Sequence, residues 1–275
     1  MRYLFILILS LCFACNNITE QGFTNKAEAK NELANGIKEG KWMDYLDSAF
    51  KITTQTNSPY YSLAIYNTGK PYGMVRVYNT SGQLLIETPY KDGKVNGVQK
   101  MYFENGNLWI ENPCTNDKTN GDKKEYYKSG KLFSITPYSD NEKDGMVREY
   151  YESGKLQSEL IYSKGQKNGI YKVYYESGIL RREAPFTNDK LNGVLKEYYA
   201  SAELWKEFAY INGVMNEEKE YYESGSLNTE VSFKNGNISE MKFYRPSGKL
   251  FSATQYTDGV AGVKKSYDEN GNEIK

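Results

Sequence analysis

Beyond Asn35 the chain is written as short runs rich in Tyr, Leu, Val and Phe, separated by Ser-Gly and Asn-Gly breaks. Aromatic and β-branched residues around such breaks predict β-hairpins. After the N-terminal apolar run, no segment sustains the 3.6-residue apolar period of an amphipathic helix, so almost no helix is expected. The runs also recur at a fixed spacing. One glycine returns at Gly82, Gly106, Gly130, Gly154 and Gly178, with Ala202 in the next slot and Gly225, Gly248 and Gly271 after it. That spacing is 24 residues five times and then 23 three times. A second glycine, usually after Asn, stands at Gly73, Gly97, Gly121, Gly145, Gly169, Gly193 and Gly262, with Asn216 and Ser239 in the two intervening slots. Self-similarity of this kind denotes a repeat array. It runs from 36 to 275 as one array, a divergent copy at Gly40–Ala49 followed by nine clear repeats.

Counting from the second glycine, each repeat places chemistry in columns. A base comes three residues on: Arg76, Lys100, Lys124, Arg148, Lys172, Lys196, Lys219, Lys242 and Lys265. Tyrosine comes five residues on: Tyr78, Tyr102, Tyr126, Tyr150, Tyr174, Tyr198, Tyr221, Tyr244 and Tyr267. Past the turn stands a leucine column, such as Leu156 and Leu180, and then an acidic one of Glu87, Glu111, Glu159, Glu183, Glu207 and Glu230. Ile135 and Ala253 are the exceptions in the acidic column. Each repeat closes on an aromatic residue, or on Cys114, and Pro89, Pro113, Pro137 and Pro185 mark strand ends just before it.

A two-residue turn at Ser177-Gly178 would set Glu176 opposite Ile179, Tyr175 opposite Leu180 and Lys172 opposite Glu183. Glu152 would likewise face Lys155. The basic and acidic columns then meet across the hairpin, each pair contributing about 0.2–1 kcal/mol and pinning the register. Leu180, Phe186 and Tyr175 would share one face, and Tyr174, Lys172 and Glu183 the other. The expected fold is all-β: an elongated, twisted antiparallel sheet of tandem 23–24-residue hairpins. Some 18–20 strands would make it about 85–95 Å long.

Ahead of the array, Arg2 precedes an apolar run, Leu4 to Ala14, and then Cys15. This reads as a secretory signal peptide, too short to span a bilayer, which takes about 20 residues. With Cys15 directly after Ala14 it resembles a bacterial lipoprotein signal, in a loose form because Cys12 and Phe13 replace the usual aliphatic and small residues. The resemblance implies a signal at 1–14, a lipid on Cys15 and a place in the bacterial cell envelope, most simply the outer membrane. Residues 15–35, polar with scattered charge, then read as a lipidated tether. Cys114 would be left alone, so no disulfide framework is expected.

Composition narrows the chemistry. Charge is balanced at 35 bases and 35 acids, which disfavours nucleic acid as a partner. There is no histidine, which removes His-based metal sites and Ser-His or Cys-His nucleophile pairs. No phosphate-binding, nucleophile-elbow or dinucleotide motif is present. Asp140–Gly145 resembles a calcium loop but has Tyr151 where the twelfth-position Glu belongs, and as a connection between hairpins it needs no ion. Cys114, in an aromatic column, reads as a small buried substitute. No cofactor and no metal is expected, and the chain reads as a binding protein, not an enzyme.

The Asn-Gly, Lys-x-Tyr-Tyr, Ser-Gly-x-Leu and Glu elements together resemble the variant MORN repeat of the bacterial YwqK antitoxin family, over about Asn35 to Lys275. That resemblance implies a protein partner, specifically a toxin that the chain would neutralise. The candidate binding face is the tyrosine column Tyr78, Tyr102, Tyr126, Tyr150, Tyr174, Tyr198, Tyr221 and Tyr244, although these rings could equally pack on each other along the sheet. Departures from the repeat are further pointers: the insertion near Thr53–Pro59, the Ala202 turn, the shorter loops before Asn216, Ser239 and Gly262, and Trp42, Trp109 and Trp205. A structural or surface-maintenance lipoprotein that binds glycan or lipid is the alternative reading.

Overall fold

The computed structural model describes residues 21–274. The expected signal peptide at 1–14 and the lipid-bearing Cys15 lie outside the described residues. Among the described residues the one helical element is a single 3-10 turn, Lys26–Glu28, and all other regular structure is antiparallel strand. The all-β hairpin array follows as expected. The chain nevertheless packs as two compact bodies, divided between Lys94 and Val95, where the sequence suggests one array. The N-terminal body has longer strands and a covering segment; the C-terminal body is a ladder of short hairpins paired in chain order.

The hairpin of Gly169–Tyr174 and Leu180–Thr187 shows how each repeat of the C-terminal body is built. Its loop has three residues, not two. Tyr175 N–H donates to Ile179 O and Gly178 N–H to Tyr175 O, each at 2.8 Å, with Gly178 at φ +93°. This is a type I turn closed by a left-handed glycine. One step on, a β-bulge pairs Tyr174 with Leu180 and Val173 with Arg182, leaving Arg181 as the extra residue. The two irregularities cancel, so Lys172 still faces Glu183 as expected. The expected pairing of Tyr175 with Leu180 is corrected to Tyr174, and Glu152 does not face Lys155, whose carbonyl takes Tyr151 N–H at 2.8 Å.

Ala202 occupies the left-handed position at φ +78° and keeps the turn bond, donating to Tyr199 O at 3.0 Å. An alanine Cβ is strained there by about 1–2 kcal/mol. Ala202→Gly is therefore expected to stabilise the C-terminal body by about 0.5–1 kcal/mol, after the extra unfolded-state entropy of glycine is offset. A raised denaturation midpoint at unchanged slope would show it; a lowered midpoint would refute it.

Successive hairpins are joined by two-residue turns such as Asn188-Asp189, both at positive φ (+48° and +64°). Here the Asn-Gly marker finds its cause. Asn168 Oδ1 accepts from Asn188 N–H at 3.1 Å, and Asp189 Oδ1 from Lys167 N–H at 2.9 Å, so this turn is tied to the repeat before it. Gly193, at φ +117°, lies beneath Pro185: a Cβ there would sit 3.0 Å from the proline ring. Asn192 N–H donates to Pro185 O at 3.0 Å. Asp140-Asn141 is a turn of the same kind, with both residues at positive φ.

In the N-terminal body, strands Ile37–Leu46, Tyr60–Asn67, Lys70–Asn79 and Leu84–Lys91 form the sheet. The stretch read as a tether departs from expectation, because from Gln21 on it is docked. Phe23 is 5% exposed and packs with Leu63 and Tyr78 in the core, with Ala29, Met43, Tyr61, Ile65 and Leu84 around them. Asn31 exchanges two 2.9 Å hydrogen bonds with the backbone of Met43, and Glu32–Ala34 pairs with the start of the next strand. Burial of one aromatic ring is what turns a polar leader into structure. The insertion near Thr53 is also ordered: Phe50 stacks on Tyr60 at 4.5 Å, and Ile52–Thr53 pairs with Tyr45 and Leu46.

Candidate protein-docking face

Backbone register carries the charged columns across hairpins as well as within them. From Lys100 the rungs run Glu111, Lys124, Ile135, Arg148, Glu159, Lys172, Glu183, Lys196, Glu207, Lys219, Glu230, Lys242, Ala253 and Lys265. Every glutamate of this ladder therefore lies between two bases. The ion pairs are loose, with Arg148–Glu159 and Lys196–Glu207 at 3.9 Å and Lys219–Glu230 at 3.8 Å. Half-exposed pairs at such distances are worth little singly. Their larger effect is to penalise any slip that would bring like charges together.

The tyrosine column is tied into this ladder. The hydroxyls of Tyr126, Tyr174, Tyr198, Tyr221 and Tyr244 donate to Glu111, Glu159, Glu183, Glu207 and Glu230, the glutamates one repeat back, at 2.7–3.1 Å. Burial, and then the glutamate bond, pushes the Tyr126 and Tyr198 hydroxyls up to about 12, and Tyr221 moves the same way. For Tyr150 the matching slot holds Ile135. Tyr102 is half-buried opposite Leu108, and Tyr78 is buried beneath Phe23.

The second tyrosine points forward. Tyr127, Tyr151, Tyr175, Tyr199 and Tyr222 donate to the backbone carbonyls of Tyr150, Tyr174, Tyr198, Tyr221 and Tyr244 at 2.6–3.0 Å. Arg245 does the same for Tyr267 O at 2.9 Å. These contacts staple each repeat to both neighbours and satisfy carbonyls beside the bulge.

By strand alternation, the face that holds the Lys–Glu rungs and the first tyrosines also carries Val98, Ile170 and Val194, with Ile161 beside Glu159. These aliphatics are 42–50% exposed. In the repeats that begin at Gly97, Gly145, Gly169 and Gly193 the face thus presents an apolar side chain, a charge pair and a half-buried tyrosine, while Asp122, Glu217 and Glu240 hold the apolar slot in others. The aliphatic row was not singled out from the sequence, yet its signal is there: an apolar residue directly after the glycine, on an outward position. The bulge residues form a different row at the loop edge, where Trp109 lies 5.5 Å from Phe103 and Trp205 5.7 Å from Tyr199. Cys114 is half-buried, and burial raises its thiol, in keeping with a packing role. Among the described residues no group of acids and cysteines is arranged to hold a metal.

Comparison with known proteins bears on the repeat. No curated protein matches the chain. Among solved structures, similarity is found to TcdB2-TccC3 without its hypervariable C-terminal region and to TcdB2-TccC3-Cdc42, each at 10% identity and TM-score 0.16. These alignments cover 78% and 75% of this chain but 15% of the other, so the chain spans a small part of those assemblies. Overlap of that degree establishes neither a common fold nor a common role. The family described as MORN repeat variant matches residues 71–92, 95–113, 119–140, 143–164, 167–188 and 216–235. The hairpin with Ala202 in its turn lies outside those stretches yet keeps their register. In those six stretches the chain is similar to the MORN repeat variant family, and the same hairpin register continues in the hairpins between and beyond them.

Proposed function

We propose that this chain is a non-enzymatic, lipid-anchored scaffold of the bacterial cell envelope that holds another protein against its repeated face. The partner on this reading is a protein toxin that the chain neutralises, as the resemblance to YwqK antitoxins implies. The observation that carries the proposal is the combination of apolar, charge-pair and tyrosine positions on one face in the repeats that begin at Gly97, Gly145, Gly169 and Gly193. Partly desolvated aliphatics and tyrosines flanked by charge are the composition of a protein-docking surface. The ladder glutamates are engaged by lysine and tyrosine, which fits binding better than acid–base chemistry.

A photo-crosslinker at Ile170 or Val194 in native envelopes is expected to trap one protein, and Val194→Lys to reduce that yield about tenfold. Expression of the trapped protein alone should be toxic, and co-expression of this chain should relieve it. Palmitate labelling should be lost in Cys15→Ala. Crosslinks absent from this face, or labelling unchanged in Cys15→Ala, would count against the reading. The exposed Trp109, beside half-buried Phe103, favours the second reading, a glycan-binding envelope protein, since such rings stack on sugars. Retention on immobilised glycan, lost in Trp109→Ala without any protein partner, would support that instead.

A further inference from the structure

In the N-terminal body a polypeptide segment sits over the matching slots of that body's own sheet. Phe23 rests over Leu63 and Tyr78. Arg76 Nη1 donates to the carbonyls of Gln21 at 2.6 Å and Phe23 at 3.4 Å. Gly22, at φ +63°, comes so close that a Cβ would lie 2.2 Å from Met74 O. The seat has an aliphatic floor, an arginine that takes two backbone carbonyls, a tyrosine wall and a glycine-only approach.

Leu63 stands where regular repeats carry glutamate, paired with Arg76 as Glu111 is paired with Lys124. In the regular array the acidic slot is refilled at Ile135 and Ala253 alone. Ile135 pairs with Arg148, and Tyr150 with Leu156, just as Tyr78 pairs with Leu84. The strand Gly145–Tyr150 repeats the sequence of residues 73–78 at five of six positions, including the Met-Val-Arg triplet that no other repeat has. The arginine–glutamate pair is copied too, Arg76–Glu87 at 2.8 Å and Arg148–Glu159 at 3.9 Å. What differs is cover: the Arg76 side chain is 13% exposed and that of Arg148 44%.

We infer that Ile135, Arg148, Tyr150 and Met146 form a second seat of the same kind, which accepts an extended segment of a partner protein bearing glycine followed by an aromatic residue. This inference rests on the reading of the face as protein-binding and specifies the partner's chemistry there. Ile135 removes the carboxylate that would repel incoming carbonyl oxygens, and Arg148 has guanidinium N–H groups directed to solvent. Lys124 pairs with Ile135 where Met43 pairs with Leu63, so this seat also favours an acidic residue beside the aromatic one.

The test uses the full chain and a synthetic peptide of its own residues 21–30, with benzophenone-alanine in place of Phe23. Crosslinks are expected on residues 145–150. Binding should weaken at least about tenfold in Ile135→Glu and in Arg148→Ala. Ile135→Glu writes in the residue that neighbouring repeats carry, so folding is preserved, which circular dichroism verifies. Crosslinks confined to residues 74–78, or peptide affinity unchanged in Ile135→Glu, would overturn the second seat. So would a peptide that fails to bind while the envelope protein is still trapped at Val194, an outcome that leaves the wider docking-face reading standing.

Discussion

Phe23→Ala is expected to destabilise the N-terminal body by about 3–4 kcal/mol and to leave unfolding of the C-terminal body unchanged. Among the described residues Phe23 is one of the few deeply buried rings of its body, and it packs on Leu63 and Tyr78. Its removal opens a cavity over them and frees the carbonyls of Gln21 and Phe23 from Arg76. Gly22→Ala should reach the same undocked state by another route, since its Cβ collides with backbone, which cannot swing aside as a side chain can. The measurement is amide exchange in Tyr60–Asn67 and Lys70–Asn79, read beside the fluorescence of Trp42. Wild-type protection of those strands in Phe23→Ala would show that the segment is an ornament of the sheet and not part of its core.

The repeat itself was readable because each slot has a job that its residue type discloses. A base and an acid at fixed offsets from two glycines located the Lys172–Glu183 rung even though the turn between them was misjudged. A three-residue loop and a bulge each shift the register by one, in opposite senses, and alternation beyond Arg182 carries no trace of either. Hydroxyl destinations were likewise hidden: Tyr174 bonds backward to Glu159 and Tyr175 forward to Tyr198 O, contacts across hairpins that no single repeat encodes. Phe23 was missed because one aromatic ring in a polar stretch has no period. Ile135 was visible as an exception, but its sense came from Leu63, which sits in the equivalent slot under a bound ring.

Above pH 10 the sheet is expected to lose stability in a window that tyrosine sets. Unfolded tyrosine ionises near 10. In the folded chain Tyr126 and Tyr198 are pushed up to about 12, by burial first and then by the hydrogen bond to glutamate, and Tyr66 rises as far for the same causes, with Asp44 as its acceptor. The folded state holds these protons more tightly, so the stabilisation is complete below pH 10 and is lost as pH climbs through 12. Lys219 and Lys242, raised chiefly by hydrogen bonds to Glu217 and Glu240, change stability in the same direction. Two pH units are worth about 2.7 kcal/mol at full weight, and rings still partly in water retain about a third to a half, roughly 1 kcal/mol each. Over Tyr66, Tyr126 and Tyr198 that is about 3 kcal/mol, a sizeable fraction of the roughly 5–15 kcal/mol of a typical domain. Tyrosinate absorbance should therefore rise together with the loss of strand circular dichroism between pH 10 and 12. Glu183→Gln removes the charge that Tyr198 faces and should bring that hydroxyl back toward 10, while Tyr198→Phe deletes its share of the window. Tyrosinate forming fully at pH 10 with the sheet intact would mean that the tyrosine–glutamate bonds do not hold the repeats together.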